Sequence, residues 1–316
     1  MRFAMLIVLA SCMVALPLAY AVDENVDFPD WVPGWTETPN LNEQAVVVFT
    51  FEEGSGDVTT DLSGTGNDGL LSAGANWVDG KFGGGIGLGP SEVAEAFKTV
   101  KVAPDPSHAM HTMTVMGWFM LDGKIGNDSF LVDKSCWGCA SELPRNFSLW
   151  DHHPGGAPSK LLFGWRDNGD LGGGGDRVGN SPDADYIHDG TWRHLGGTYD
   201  GQNVRVYIDG EEAGANPHPS DPNTANAPAA TLSPISIGAL YGGAPGGTGH
   251  GLPLGTRADE IVITTYALDE DDIASIMANG ACSDEGMDIL GIDCGATSVE
   301  VANKLATQWG NIKQMQ

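Results

Sequence analysis

The sequence predicts an all-β protein: an antiparallel two-sheet sandwich with one short C-terminal helix and a small terminal extension. Two observations carry this. First, Asp189 to Gly210 reads as strand, tight turn, strand, tight turn. Val204, Val206 and Ile208 alternate there with Arg205, Tyr207 and Asp209, the period of two that a pleated strand needs. Asp200-Gly201 and Asp209-Gly210 supply residues that tolerate positive φ, so each can close a hairpin. Second, the 45 glycines and 18 prolines follow no three-residue period, which suits a turn-rich β chain and excludes collagen. With 41% hydrophobic residues in a chain of 316, a sizeable core is affordable and global disorder is excluded.

Taken in order, the chain opens on a secretory signal. Met1-Arg2 is a short positive start, Phe3 to Leu18 is mostly apolar, and Ala19-Tyr20-Ala21 is a small-x-small cleavage site, so residues 1–21 are expected to be removed. Leu9-Ala10-Ser11-Cys12 also resembles a lipobox that would leave a lipidated Cys12. The apolar run continues through Met13-Val14-Ala15-Leu16, however, where a mature lipoprotein turns polar. An uncleaved anchor is a further reading, since residues 3–21 are about long enough to span a bilayer. After signal cleavage no membrane span is expected. Residues 22–43, with Pro29, Pro33 and Pro39 among acids, have a linker composition, and Trp31 and Trp35 within them are expected to pack onto the domain.

Gln44 to Phe51 is the first expected strand, and Gly54 to Gly69 a turn-rich loop. Lys98 to Val102 and Thr112 to Met120 follow as strands, the second with Met113, Val115 and Phe119 on one face. Asn146 to Asp151 and Lys160 to Arg166 read as a hairpin joined through His152-His153-Pro154-Gly155-Gly156. A long loop runs from glycines 172–175 to Asp189, and a second fills 215–233. Ile235 to Gly238 is a strand, and Arg257 to Tyr266 closes the fold.

One helix is well specified. Asp269 is placed as N-cap with Asp272 three residues on, and Glu270 and Asp271 suit the positive helix end. Leu268 and Ile273 are set as a hydrophobic staple, Ile273, Ile276 and Met277 share a face, and Gly280 stops the helix. Residues 281–316 are then a tail in which Cys282 and Cys294 bracket a loop. Val301, Leu305, Trp309 and Ile312 would fall on one side of a short terminal helix.

The residues also carry a resemblance. Asp189-Gly-Thr-Trp-Arg-His-Leu-Gly-Gly-Thr-Tyr-Asp-Gly201, followed by Val204-Arg-Val-Tyr-Ile-Asp-Gly210, resembles the central signature of LamG-like jelly-roll domains. These belong to the concanavalin A-like lectin/glucanase superfamily. Phe49 to Gly56 with Asp61 to Gly69 resembles the opening, Thr112 to Phe119 the core strand, and Ala258 to Ile263 with Ala267 to Ile273 the close. The resemblance spans 44–280 and implies a jelly-roll arrangement of the two sheets. For activity it implies little, because the superfold carries many unrelated functions.

The net charge of −27 becomes −28 once Arg2 leaves with the signal. Such a surface repels nucleic-acid phosphates and anionic membranes and suits cationic partners or divalent ions. Without Cys12, four cysteines remain: Cys136, Cys139, Cys282 and Cys294. In an exported chain they imply two disulfides with three pairings, of which sequence neighbours suggest Cys136–Cys139 and Cys282–Cys294.

No catalytic residue emerges. The laminarinase-like members of the superfamily alternate two glutamates with an aspartate along one strand, the spacing that retaining hydrolysis needs, and this chain lacks the pattern. It also lacks a Gly-x-Ser-x-Gly elbow and a His-Glu-x-x-His pair. The resemblance implies a structural calcium ion where the opening loop meets the closing strand, with Glu52, Asp61 and Asp259 as carried-over ligands and Asp259 as the anchor. For carbohydrate, the aromatic and polar residues of the 146–167 hairpin are the candidates: Trp150, Asp151, His152, His153, Trp165 and Asp167. Trp150 and Trp165 have a competing place in the core, as alternate strand residues. His194, mid-strand beside Trp192, reads as a core histidine. The expectation is a secreted or cell-surface, non-catalytic module that binds glycan or an extracellular protein, with calcium as its stabilising ion. The alternatives are a structural or adhesive extracellular protein without specific glycan binding, and a divergent glycoside hydrolase or lyase.

Overall fold

The computed structural model describes residues 43–92, 97–105, 108, 110–134, 147–166, 176–219, 234–240 and 251–295. The expected signal with Cys12, the expected linker up to residue 42, Cys136 and Cys139, Asp167 and the tail beyond 295 lie outside them.

The strands run in chain order as β1 (Ala45–Phe49), β2 (Val58–Thr59), β3 (Gly69–Ser72), β4 (Asn76–Asp79), β5 (Gly84–Gly87) and β6 (Gly89–Pro90). Then come β7 (Phe97–Val102), β8 (Met113–Asp122), β9 (Asp128–Lys134), β10 (Phe147–His152), β11 (Lys160–Arg166) and β12 (Asp176–Asn180). The last are β13 (Asp189–Tyr199), β14 (Asn203–Ile208), β15 (Glu211–Pro217), β16 (Ile235–Ile237) and β17 (Arg257–Thr264). All pairings are antiparallel. One sheet has the order β15-β14-β13-β8-β17-β5-β4, with β1 also on β17; the other runs β12-β11-β10-β9-β16-β7-β3-β2, with β6 on β7. The predicted two-sheet jelly-roll sandwich is therefore the observed one.

Alternation builds the core between the sheets. From the first sheet Phe49, Val115, Phe119, Val204 and Val206 point inward; from the second, Val100, Leu149, Phe163 and Trp165 meet them, all essentially inaccessible. Part of the outward face of the first sheet is covered as well. Val48, Met116, Tyr207 and Val262 lie under α1 (Glu270–Asn279) and α2 (Asp284–Leu290), which contribute Ile273, Ile276 and Leu290. A third, smaller cluster of Phe130, Trp150 and Leu240 covers the outer face of the second sheet.

The meander forms as expected, with Asp209 (φ 52°) and Gly210 (φ 84°) turning β14 into β15. Only Gly201 of the first turn is left-handed (φ 91°). Asp269 accepts from the Asp272 N–H at 2.9 Å as N-cap of α1, and Leu268 and Ile273 are buried together. Two expectations are corrected. The stretch between Cys282 and Cys294 is not a plain loop: Ser283 caps α2 by accepting from the Gly286 N–H, and Gly291 ends it in the left-handed region. Nor is 176–189 a loop, since β12 pairs with β11 and a 3-10 turn fills Asp185–His188. Cys282 and Cys294 are disulfide-bonded, with Cα atoms 5.7 Å apart. Among the described residues no helix is long and apolar enough to cross a membrane.

Candidate functional site

Three connections meet at one end of the sandwich: the β8–β9 turn (123–127), the β10–β11 loop (153–159) and the 3-10 turn that feeds β13. They are knitted by backbone and side chain alike. The His153 N–H donates to Asn127 O (2.8 Å), Gly155 N–H to Asn127 Oδ1 (3.1 Å), Ala184 N–H to Ser159 O (2.8 Å) and Ser159 N–H to Asp185 Oδ1 (2.7 Å). The Lys124 ammonium closes the ring on Asp185.

On the outside of this end stands Tyr186, 49% exposed; among the described residues only Leu254 is another large apolar side chain so open to solvent. The Arg193 guanidinium lies 5.3 Å from the Tyr186 ring centre and is held there by Asp189 (2.7 Å) and Asp209 (3.0 Å). Hydrogen bonds from Thr191 first, and then Arg193, pull the Asp189 carboxyl down to about 2. The result is a half-exposed aromatic ring with a guanidinium over it, beside a fixed carboxylate and hydroxyl.

Beneath this surface Asp151, His153 and His188 are packed out of solvent. His153 Nδ1 is 2.6 Å and His188 Nε2 3.0 Å from the same Asp151 Oδ2. The far nitrogens face backbone oxygens, His153 Nε2 that of Ile125 at 3.3 Å and His188 Nδ1 that of Gly123 at 2.7 Å. Burial works to raise the Asp151 carboxyl, but its contacts with His153 and His188 outweigh it and hold the group below the usual range. The Asp151 contact in turn raises His153.

The structure thus gathers three of the predicted ligand-binding residues at this end: Asp151 and His153 inside, and His152 part-exposed against Asp128 at 2.6 Å. It removes two. Trp165 is a core residue, its ring centre 4.5 Å from that of Tyr199. Trp150 stacks on Phe130 at 6.0 Å and is 3% exposed, so neither indole offers a platform. Alternation decides only for Trp165, which faces the core; Trp150, next to inward Leu149, points to the outer face and is buried there with Phe130 and Leu240. Tyr186 was missed because it sits in a stretch without periodicity, two residues before His188.

The calcium set is also redistributed. Asp61 is 4% exposed and spends both oxygens on its own loop, accepting from the N–H groups of Val48, Ser63, Gly66 and Asn67 and the hydroxyls of Ser63 and Thr65. It caps this loop. Asp259 Oδ2 accepts from the Lys81 and Phe82 N–H groups (2.8 and 2.9 Å), and Glu52 accepts from Gly84 N–H (3.1 Å), so both grip the 80–84 turn. Burial, with Glu260 adding to it, pushes the Asp259 carboxyl up to about 7. His194 is buried with its Nδ1 lacking a partner among the described residues, and burial lowers it to about 3. A separate hollow of about 230 Å3 lies at the β4–β5 edge, lined by Asn76, Lys98, Leu254 and Arg257 among others.

Residues 96–274 match the Laminin_G_3 family, described as the concanavalin A-like lectin/glucanases superfamily. No curated protein matches the chain by sequence. Among solved structures it is similar to the binding domain of Paraclostridial Mosquitocidal Protein 1 (18% identity, TM-score 0.50, covering 74% of this chain and 52% of that one). It is similar too to a botulinum neurotoxin type C structure described by a dependence of cell entry on interaction with two ganglioside molecules (13%, 0.52, 74% and 51%). The binding domain of botulinum neurotoxin DC in complex with SialylT is a third (12%, 0.51, 74% and 51%). The chain spans about half the length of these structures, and at such identities the likeness shows the fold.

Proposed function

The chain belongs to the concanavalin A-like lectin/glucanase superfamily, and on that footing we propose that it is an exported, non-catalytic module that binds carbohydrate through the Tyr186 end of the sandwich. One observation carries this: an aromatic ring that is 49% exposed, beside an arginine and an aspartate locked together by hydrogen bonds. That the similar toxin domains are binding domains, one tied to gangliosides, agrees with it. The Cys282–Cys294 bond suits a location outside the cell, as does the signal expected at 1–21.

A glycan array with the purified full chain tests the reading. Tyr186→Ala is expected to weaken the preferred glycan roughly tenfold, about 1.4 kcal/mol, with an unchanged melting temperature. A wild-type chain that binds no glycan leaves the structural or adhesive reading in its place. New reducing ends from a polysaccharide incubated with the protein would make it an enzyme.

The finer part of the reading is calcium. Glu52 and Asp259 hold the 80–84 turn from two sides, and Glu260 adds a third acid within electrostatic reach; a calcium ion there would take over carboxylate oxygens that now accept from the N–H groups of Lys81, Phe82, Gly84, Glu260 and Ala281. Chelation is expected to lower the melting temperature, calcium to restore it, and Glu52→Gln to abolish the response; identical melts with and without chelator remove calcium from the proposal.

A further inference from the structure

We infer that Asp151, His153 and His188 form a closed site for a divalent transition-metal ion, with zinc as the expected occupant. The three ligand atoms lie within 4.8 Å of one another, the only such group of acidic, histidine or cysteine residues among the described ones. Their side chains are 0%, 2% and 4% exposed. The inference does not depend on glycan binding.

Proton counting makes the case. A neutral imidazole carries one N–H. Each of these rings faces two acceptors: Asp151 Oδ2 on one side, and the backbone oxygen of Ile125 or Gly123 on the other. Two neutral rings can therefore satisfy only two of the four contacts, and the other two set lone pair against lone pair in a dry interior. A metal ion removes the conflict. Each ring then donates its proton to its carbonyl, the backing that metal-bound histidines habitually have, and turns its free nitrogen to the ion.

Asp151 Oδ1 points the same way. It is buried and has no hydrogen-bond partner among the described residues, an expensive state for a carboxylate oxygen. Two imidazole nitrogens and Asp151 Oδ2 supply three of the four donors that zinc takes, and a water entering with the ion, held by the unpartnered Asp151 Oδ1, completes them. Imidazole disfavours calcium and magnesium, which prefer oxygen throughout. Entry of the ion spreads the nitrogens and Oδ2 from 2.6 and 3.0 Å to separations above 3 Å, as bonds of about 2.0–2.2 Å demand. With no exposed position the site is structural: it pins the 123–127, 153–159 and 185–188 segments to one point beneath Tyr186.

The competing occupant is protons, with both rings charged around one carboxylate. Cobalt separates the two. The untagged full chain, stripped with chelator, is titrated with cobalt(II) at neutral pH. The expected result is the visible absorption of tetrahedral cobalt at one equivalent, displaced by one equivalent of zinc, with a rise in melting temperature. His188→Gln and His153→Gln are each expected to weaken the metal roughly a hundredfold, while His152→Gln leaves it unchanged. Where a variant fails to fold, zinc-edge X-ray absorption of the wild-type chain decides, two imidazole nitrogens being expected. Absence of the cobalt band, a band that survives both variants, or an all-oxygen zinc shell would each overturn the inference.

Discussion

Asp61 shows how a single side chain organises a stretch that has no regular structure. Its two oxygens collect four backbone N–H groups and two hydroxyls from residues 48 to 67, so the first strand and the turn-rich loop behind it are fastened through one carboxylate. Removing it leaves the Val48 and Asn67 N–H groups buried without an acceptor and the remaining donors part-buried. Asp61→Ala is expected to cost about 3 kcal/mol, measured by urea unfolding; a loss within error of zero would show that water replaces the carboxylate. The same set of hydrogen bonds gives Asp61 a role that needs no ion. An aspartate among glycines and serines is also what a backbone cap looks like, and sequence alone does not say which atoms reach it.

At the level of elements, the strands with period-two alternation or an Asp-Gly turn were legible, as were the caps of α1. Those with neither were not: β12 is too short and polar to announce itself, and α2 is a seven-residue helix hidden inside a disulfide loop. Contact between the sheets imposes a constraint no strand pattern reveals. A Cβ on Gly197 of β13 would lie 2.1 Å from Cγ of Phe163 on β11. Gly197→Ala therefore forces the two layers apart and is expected to cost about 3 kcal/mol, at the upper end for overpacking, seen as a lowered urea midpoint with the β spectrum retained. A variant as stable as the parent would mean that the core yields at Phe163.

For the molecule as a whole, pH is the probe of what folding has buried. His194 is lowered to about 3 from 6.5 by burial, so its contribution is fully present above pH 6.5 and is lost as pH falls toward 3. His108, also buried, acts in the same direction. In calcium-free protein Asp259, raised to about 7, acts oppositely: its contribution is present below 3.8 and is lost as pH rises through 7. Because the windows overlap, the wild-type profile conceals both. His194→Phe keeps an aromatic ring against Trp118, whose centre is 5.4 Å away. The variant is expected to gain on wild type by about 1.4 kcal/mol per pH unit between 6.5 and 3. Parallel stability curves across that range would show that His194 takes up its proton without hindrance in the folded state.

The sequence by itself determined the fold class, the meander at its centre and the capped helix, because these are local: alternation, turn residues and caps act within a few positions of one another. Only the tertiary structure decided which indoles were core, which aspartate was a cap, that Tyr186 stands out from the surface, and that His188 joins Asp151 and His153. Those outcomes depend on which residues distant in the chain become neighbours, and β8, β10 and β13 bring them together only once the two sheets have closed on each other.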